Sequence, residues 1–174
     1  MSGERRWGWH RLEPSWAETV VAAVQLRSGE LVVDLGAGTG NLSVPLAEAG
    51  AQVIAVELHP RRAEELRRRL RDYDAVVVEQ DLGSFVPPGR PFRVVANPPF
   101  TQTAALLMML GRARHLTRAD LVLQRGVVRQ LESGARRSTR RLGARWVMDL
   151  PPAAFVPRPT VETSLVTLRP RRRR

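Results

Sequence analysis

The segment of this chain best suited to chemistry is the Asn-Pro-Pro-Phe sequence at residues 97–100. A planar exocyclic amine is a poor nucleophile because its lone pair is delocalised into the ring. Hydrogen bonds from its two N–H groups to the Asn97 side-chain oxygen and the Pro98 carbonyl would favour a pyramidal, reactive geometry. The prolines remove backbone donors and stiffen the corner, and Phe100 offers a face on which a base can stack. We therefore predict that Asn97, Pro98 and Phe100 hold a planar amine during group transfer.

A glycine-rich turn at residues 36–40, Gly-Ala-Gly-Thr-Gly, precedes this corner and follows a short apolar segment. Glycines there let the backbone approach a ligand at the end of a strand. A dinucleotide fingerprint has the pattern Gly-x-Gly-x-x-Gly. Here the third glycine comes one residue earlier, which is the spacing associated with S-adenosylmethionine. Asp34, just before the turn, can help to place the cofactor's amino group; the alternative is a tight strand-to-helix turn that binds no ligand.

Acidic residues lie at the ends of the next two predicted strands. Glu57 ends the second strand, where an acid accepts hydrogen bonds from the ribose hydroxyls of an adenosyl cofactor. The alternative is an ordinary surface glutamate. Asp81 follows the third strand and can accept from the cofactor's adenine amine, with Leu82 as a backbone donor and Glu79 as the competing acid. A sulfonium methyl group needs no metal, and we predict none.

Strand-like and helix-like segments alternate along the chain. Apolar runs predict strands at 31–35, 52–57, 75–79, 92–96, 120–123, 145–150 and 164–168. Helical spacing is found at 13–24, 41–49, 60–72, 101–113 and 125–131. This alternation predicts an α/β fold with a mostly parallel sheet and helices on both faces. Taken with the glycine turn and the Asn-Pro-Pro-Phe corner, it predicts a Rossmann-like class I methyltransferase domain with a seven-stranded sheet. The segment 133–143, rich in Gly, Ser and Arg, is predicted to be a mobile loop.

Composition and charge narrow the class of protein. At 174 residues the chain has the size of one domain, without cysteine for disulfides or metal ligation. It has no apolar stretch long enough for a membrane helix, so we expect a cytoplasmic protein. The net charge is +11, and residues 112–174 hold 16 arginines against 4 acids. Arginine pairs with phosphate and stacks on bases, which favours a polyanion-binding face; a genome that prefers Arg codons is the alternative.

The predicted organisation is an N-terminal arm at 1–12, a catalytic domain at 13–168 and an Arg-rich tail at 169–174. In the arm, Trp7 and Trp9 could cap the cofactor or contact RNA. The predicted RNA-binding residues are Arg136, Arg137, Arg140, Arg141 and Arg158.

Together these motifs resemble the Erm family of 23S rRNA adenine-N6 methyltransferases, which is related to the KsgA-type dimethyladenosine transferases. The resemblance covers essentially the whole chain, including a Phe-x-Pro-x-Pro-x-Val pattern at 155–161. The opening Trp-Gly-Trp-His-Arg-Leu at 7–12 is similar to that of short actinobacterial members. The resemblance implies S-adenosylmethionine-dependent methylation, once or twice, of an adenine in the peptidyl-transferase region of 23S rRNA. It also implies macrolide-lincosamide-streptogramin B resistance.

The resemblance also assigns site residues and a partner. It implies that Asn97 and Phe100 hold the target base. The predicted cofactor-binding residues are His10, Leu12, Asp34, Gly36, Gly38, Glu57, Leu58, Asp81, Leu82 and Asn97. The expected partner is 23S rRNA, naked or in an assembling large subunit, and we expect a monomer. The sequence ends soon after the last predicted strand, so we expect no counterpart of the family's C-terminal helical domain; the Arg-rich stretch 136–145 could partly substitute for it.

Other interpretations of the same motifs stay open. Methyltransferases of DNA adenine or protein glutamine also use an Asn-Pro-Pro-aromatic corner. The chain has no insertion suited to recognising a DNA target, and its positive half suits nucleic acid better than a glutamine side chain. A non-catalytic RNA-binding factor of ribosome assembly is the alternative from another class. The presence of the glycine turn, the two acids and Asn97 argues against it.

Overall fold

The computed structural model describes residues 10–171, and short apolar runs build the centre of its sheet. In chain order the strands and helices are β1 (Arg11–Leu12), α1 (Pro14–Val24), β2 (Leu31–Leu35), α2 (Ser43–Glu48), β3 (Gln52–Glu57), α3 (Pro60–Leu70), β4 (Ala75–Glu79), β5 (Phe92–Ala96), α4 (Thr103–Arg112), β6 (Leu116–Gln124), α5 (Arg125–Glu132), β7 (Leu142–Leu150), β8 (Phe155–Val156) and β9 (Thr163–Pro170). Proline opens α1 and α3, where its missing N–H leaves no intrahelical bond unmade.

Seven of the strands form one sheet, in the order β4-β3-β2-β5-β6-β9-β7. The strands from β4 to β6 in this order pair in parallel, and β9 is antiparallel to both β6 and β7. Parallel neighbours require crossover connections, which the helices supply. The α/β fold with a seven-stranded, mostly parallel sheet is therefore confirmed.

Helices cover both faces of this sheet and bury two apolar clusters. The cluster on one face includes residues of α1, α2 and α3, among them Val20, Leu46 and Leu66. The other includes residues of α4 and α5. Neighbouring residues of β2 alternate between the two, with Val32 in the first cluster and Val33 in the second, as the two-residue period of a strand requires.

A buried ionic network links the central strands to the turn after α1. Arg93, 2% exposed, donates to Asp120 at 2.9 and 2.7 Å, and to Glu30 at 3.3 Å. The fully buried Asp120 also accepts from Arg118 at 2.7 Å and from the Thr167 hydroxyl at 2.6 Å. Every charge in this network therefore has a partner, as burial of ionised groups demands.

A second, two-stranded sheet joins the start of the described chain to the segment before β9. β1 pairs antiparallel with β8, so that Arg11 lies opposite Val156 and Leu12 opposite Phe155. Leu12 and Phe155 are each 1% exposed. Their burial fixes the arm at the same edge of the molecule as the Asn-Pro-Pro-Phe corner. The sequence analysis did not predict these two strands.

The segment 133–143, predicted to be a mobile loop, contacts α4. It contains the 3-10 turn Arg137–Thr139 and the first residues of β7. A Cβ atom on Gly111 would collide with the Ser138 carbonyl oxygen, so a glycine in α4 permits the close contact. The Arg141 guanidinium donates to carbonyl groups at the end of α4. Residues 133–141 thus form an irregular connection with one 3-10 turn that contacts α4, and the predicted segment also includes the start of β7; its mobility remains a prediction.

Parts of the predicted arm and tail lie outside the described residues. These are residues 1–9, with Trp7 and Trp9, and residues 172–174. Within the described part, the tail begins as the end of β9, and the Arg171 backbone N–H donates to the Arg141 carbonyl at 2.7 Å. Among residues 10–171, no helix is long and apolar enough to cross a membrane.

Candidate cofactor and target-amine site

The glycine turn and the Asn-Pro-Pro-Phe corner meet at the carboxyl ends of β2 and β5, which are neighbours in the sheet. Gly36 has φ 78° and Gly38 has φ 60°, in the left-handed region that favours glycine. A Cβ atom on Gly36 would lie only 2.9 Å from the Pro99 Cδ atom. Glycine at this position therefore lets the two loops approach each other closely enough to form one site.

Glu57 lies at the end of β3 and is 5% exposed. One carboxylate oxygen accepts from the Gly38 backbone N–H at 2.8 Å and the other from the His59 backbone N–H at 2.8 Å. The Arg62 guanidinium is 3.9 Å away. Two backbone donors therefore fix the orientation of this carboxylate beside the glycine turn, and each oxygen keeps a second lone pair for a ligand hydroxyl.

A cavity of about 200 Å³ adjoins Glu57. It touches both the glycine turn and the corner, and its walls are largely apolar. The residues that line it are Gly36, Val56, Glu57, Leu58, His59, Pro60, Arg62, Gln80, Leu82, Pro99 and Gln102. An apolar cavity with a carboxylate at one end suits a nucleoside.

Asp81 is not among these lining residues. Its carboxylate accepts from the Gly83 backbone N–H at 3.0 Å and caps the 3-10 turn Leu82–Ser84. Gln80, which the sequence analysis did not select, and Leu82 line the cavity instead. Gln80 directly follows β4 and therefore lies at the carboxyl edge of the sheet. This position in the sequence could have been used to predict Gln80 as a residue of the site.

A second cavity, of about 20 Å³, lies on the other side of Gly36. Residues of β1, the glycine turn and Asn97 line it together with Asp34. At this size it holds about one water molecule. Leu12 closes it in part, because its carbonyl oxygen accepts from the Asn41 amide at 2.8 Å. Arg11 and Leu12 of the arm therefore form part of the wall of this cavity.

Asp34 is the most perturbed acid in the site. It is 1% exposed and accepts from the Ser43 hydroxyl at 2.6 Å. Burial raises the pKa of Asp34 from 3.8 to about 7; the Ser43 hydrogen bond opposes this rise, and the nearby Glu57 carboxylate adds to it. A cationic ligand beside this carboxylate would stabilise its ionised form, since a positive neighbour favours the charged state.

The Asn97 side chain is held by the N-terminal arm. Its amide nitrogen donates to the His10 carbonyl oxygen at 2.7 Å. A carbonyl can only accept, so this bond identifies the nitrogen and leaves the amide oxygen to accept from a target amine. His10 thus contributes through its backbone, a role that residue type alone does not reveal.

The His10 ring also contacts the corner. It lies 5.1 Å from the Phe100 ring, centroid to centroid, at an interplanar angle of 34°. Its Nδ1 atom lies 2.8 Å from the Pro157 carbonyl oxygen, to which it donates. His10 therefore packs on Phe100 and links it to the segment after β8. His10 does not line either cavity, whereas Leu12 lines the smaller one.

The arginines predicted to bind RNA differ in their surroundings. Arg141 is engaged at the end of α4, and the Arg136 guanidinium donates to the Gln130 amide oxygen at 3.0 Å. Arg137, Arg140 and Arg158 are exposed. Arg141 is exposed as well, but its guanidinium caps the end of α4.

The fold, with a cavity on each side of Gly36, defines the class of protein. The chain has the Rossmann-like fold of the S-adenosylmethionine-dependent methyltransferases, and that cofactor is the one implied, as predicted. The residues fit it: Glu57 suits the ribose, the apolar walls suit adenine, and Asp34 suits the ammonium group. No group of three or more metal-ligating side chains occurs in residues 10–171.

The chain belongs to the ribosomal RNA adenine dimethylase family, whose model matches residues 11–174. It is 33% identical over 165 residues to the ribosomal RNA small subunit methyltransferase A of Cupriavidus taiwanensis, covering 87% of this chain and 60% of that protein. The corresponding protein of a Synechococcus strain is 31% identical over 96% of this chain and 67% of its own length. The chain thus spans about 60% of the length of the Cupriavidus protein.

Two solved structures superpose closely on this chain and support its membership of the family. The structure of the 23S rRNA methyltransferase ErmE superposes with a TM-score of 0.81 at 27% identity, covering 94% of this chain and 70% of that one. A dimethyladenosine transferase from Plasmodium falciparum gives 0.80 at 26% identity, covering 93% and 64%. The prediction of a ribosomal RNA adenine methyltransferase family is confirmed by the family model, and the Erm branch remains a prediction.

Proposed function

We propose that this chain methylates the N6 amine of an adenine in ribosomal RNA, using S-adenosylmethionine. The observation that carries the proposal is the Asn97 amide, whose nitrogen is held by the His10 carbonyl at 2.7 Å beside the glycine turn. This arrangement presents an acceptor oxygen to an amine at the edge of the cofactor cavity. Family membership supports an RNA adenine as the source of that amine.

The residues of the chain have distinct roles in this proposal. Bound S-adenosylmethionine would supply the methyl group from its sulfonium, with cleavage of the S–C bond and release of the neutral thioether. Asn97 and the Pro98 carbonyl accept the two N–H groups of the target amine, so that its lone pair is localised and directed at the methyl carbon. Phe100 stacks on the flipped base. The proton released from the methylated nitrogen leaves to water.

The target we favour lies in the peptidyl-transferase region of 23S rRNA, which would give macrolide-lincosamide-streptogramin B resistance. The resemblance of the motifs to the Erm family and the superposition on ErmE support it. We expect the protein to act as a monomer in the cytoplasm on naked or partly assembled RNA. Small-subunit rRNA is the second candidate, because the curated relatives are named for that subunit.

The experiment combines purified protein, labelled S-adenosylmethionine and unmethylated 23S and 16S rRNA in separate reactions, with modified positions mapped by primer extension. Stops at an adenine in the peptidyl-transferase loop support the favoured target, and stops confined to 16S rRNA support the second. Cofactor binding without methylation of either RNA would refute the proposal. Duplex DNA and a glutamine-containing release factor serve as control substrates.

The role of Asn97 is tested with two substitutions. Asn97→Ala removes the acceptor and should lower turnover by about 10²-fold or more, while cofactor affinity measured by calorimetry changes much less. Asn97→Asp keeps the acceptor oxygens but cannot donate to the His10 carbonyl, so it should also be strongly impaired. Near-normal turnover of Asn97→Ala would show that another group holds the amine.

A further inference from the structure

A cluster of arginines lies where the end of α4 meets the start of β7 and the end of β9. Residues 111–114 and 136–141 contain six arginines and no acid. The two segments touch, because a Cβ atom on Gly111 would collide with the Ser138 carbonyl oxygen. Arg171, directly after β9, donates its backbone N–H to the second segment at 2.7 Å. Six arginines and this seventh one therefore share one surface.

Two of these arginines are engaged within the fold. The Arg141 guanidinium caps α4, and the Arg136 guanidinium donates to the Gln130 amide oxygen. Like charges packed closely together repel one another, so a cluster of the remaining side chains favours an anionic partner over the isolated fold. These remaining side chains are all exposed, and they are Arg112, Arg114, Arg137, Arg140 and Arg171.

The acids nearest to this surface are occupied elsewhere. Asp120 and Glu30 belong to the buried network, in which their two charges are balanced by two arginines. Glu132 accepts from a backbone N–H of β7 at 3.2 Å. The residue that donates this N–H is four positions beyond the start of the strand, so it lies about 13 Å from this edge of the sheet. The arginine surface therefore keeps a net positive charge.

The surface lies at the edge of the sheet opposite the target-amine site. The Phe92 backbone N–H, at the start of β5, donates at 3.1 Å to the carbonyl oxygen of His115, the residue after Arg114. Asn97 follows the other end of β5. Five residues of about 3.3 Å each separate these two ends by about 17 Å. The five exposed arginines, which we call the amino-edge arginines, are therefore too far from Asn97 to hold the base that is methylated.

The chemistry of this surface indicates the kind of partner that it fits. None of the large apolar side chains exposed in residues 10–171 belongs to residues 111–114 or 136–141. Membrane-surface sites carry apolar anchors, and the centres of protein interfaces are apolar and aromatic. Stacking on unpaired bases also needs exposed aromatic rings. Arginines without such groups suit the phosphates of a base-paired nucleic acid, which they bind in a bidentate manner.

We propose that the amino-edge arginines bind the phosphate backbone of an RNA duplex that is remote from the target adenine. The inference rests on the proposed function, and on the ribosomal RNA family, for the source of the RNA. Phosphate contacts position a protein but carry no sequence information. The domain thus holds its RNA at two opposite edges of one sheet, with the flipped base at the carboxyl edge and a duplex at the amino edge.

The test measures the affinity of the full chain for a fluorescently labelled RNA duplex of about twenty base pairs at several salt concentrations. A fully paired duplex offers no flipped adenine, so its binding reports on the arginine surface. The double variant Arg137→Gln, Arg140→Gln should bind about tenfold more weakly and reduce the salt slope by about 2, since each phosphate contact contributes about 0.9. The double variant Arg137→Lys, Arg140→Lys keeps both charges and should retain most of the slope.

The matched control is the double variant Arg61→Gln, Arg68→Gln. Both residues are exposed on α3, which packs against β3 and β4 at the far end of the strand order. This control removes the same charge and should leave affinity and salt slope close to those of the unmodified chain. Equal affinities for the Arg137→Gln, Arg140→Gln variant and the unmodified chain would overturn the proposal. So would equal weakening by the control, which would indicate a charge effect without a site.

Duplex binding separates this inference from the proposed function, because it needs neither cofactor nor target adenine. If no ribosomal RNA is methylated but the Arg137→Gln, Arg140→Gln variant still binds the duplex more weakly, the proposed function fails and the surface stands. If ribosomal RNA is methylated and this variant binds the duplex like the unmodified chain, the surface fails and the proposed function stands. Binding of polyglutamate that depends on both arginines, without binding of the duplex, would assign the surface to an acidic protein and overturn the proposal.

Discussion

Replacing Asp34 with asparagine should make the protein more stable at neutral and alkaline pH. The pKa of Asp34 is raised from 3.8 to about 7 in the folded chain, chiefly by burial. Between these two values the folded state keeps the proton and the unfolded state loses it. Unfolding therefore releases a proton, and stability falls as the pH rises from about 4 to about 7.

The size of this effect follows from the two pKa values. Each pKa unit corresponds to about 1.4 kcal/mol, so the ionised carboxylate costs the folded state roughly 4 kcal/mol above pH 7. Asparagine has nearly the same shape and can still accept from the Ser43 hydroxyl, but it carries no charge to bury near Glu57. The Asp34→Asn variant should recover a large part of this free energy at pH 8 and little of it at pH 4.

The assay is urea unfolding of both proteins at a series of pH values from 4 to 8. The variant should gain stability relative to the parent as the pH rises, and the difference should level off above about pH 7. Ser43→Ala is the matched control: it removes the bond that lowers the pKa of Asp34, so its stability should fall further at pH 8. Parallel stability curves for Asp34→Asn and the parent would refute this reasoning.

If Asp34 binds the cofactor's ammonium group as predicted, cofactor binding should depend on pH. A bound ammonium group favours the ionised form of Asp34, so binding releases a proton when the pH is below about 7. Affinity for S-adenosylmethionine should therefore weaken as the pH falls below about 7, and calorimetry in two buffers of different ionisation enthalpy would detect the proton. Asp34→Asn should bind more weakly at pH 8 and lose this dependence.

Three further perturbations test other parts of the structure. Glu57→Gln should weaken S-adenosylmethionine binding about tenfold by calorimetry, since it replaces a charged acceptor of the ribose hydroxyls; unchanged affinity would reject that assignment. Asp120→Ala should lower the free energy of unfolding by about 3–5 kcal/mol, because Arg93 is left buried without its main partner. Arg141→Ala should lower the free energy of unfolding in urea by about 2 kcal/mol and leave the salt dependence of RNA affinity unchanged. A weaker salt dependence would indicate that Arg141 binds RNA.

Much of the fold could be predicted because most residues of its parallel strands are apolar. The bounds of β2, β3, β4 and β5 agree with the sequence prediction, because a single charged residue, Asp34 in β2 and Arg93 in β5, does not break the apolar pattern. β6 is longer than the predicted 120–123, because the polar residues Thr117 and Arg118, the second a half-buried partner of Asp120, hide the start of the strand. Polar residues that belong to a network cannot be told from loop residues by hydropathy alone.

The site was predictable where it depends on residue type, and less so where it depends on the backbone. Gly36, Glu57 and Asn97 were selected by their positions after strands, and the structure brings them together. The His10 carbonyl that holds Asn97 has no signature in sequence, because any residue has a carbonyl. The capping position of Arg141 depends on a contact across about thirty residues, which local patterns do not encode.

The pairing of β1 with β8 has a kinetic consequence. The arm that closes the small cavity also carries the carbonyl that orients Asn97. If the proposed function is right and cofactor exchange requires β1 to separate from β8, the acceptor for the amine loses its alignment at each exchange. We therefore expect the RNA to dissociate between successive turnovers. Singly methylated product should accumulate before the doubly methylated form appears. The lifetime of the singly methylated product is then set by how often β1 separates from β8.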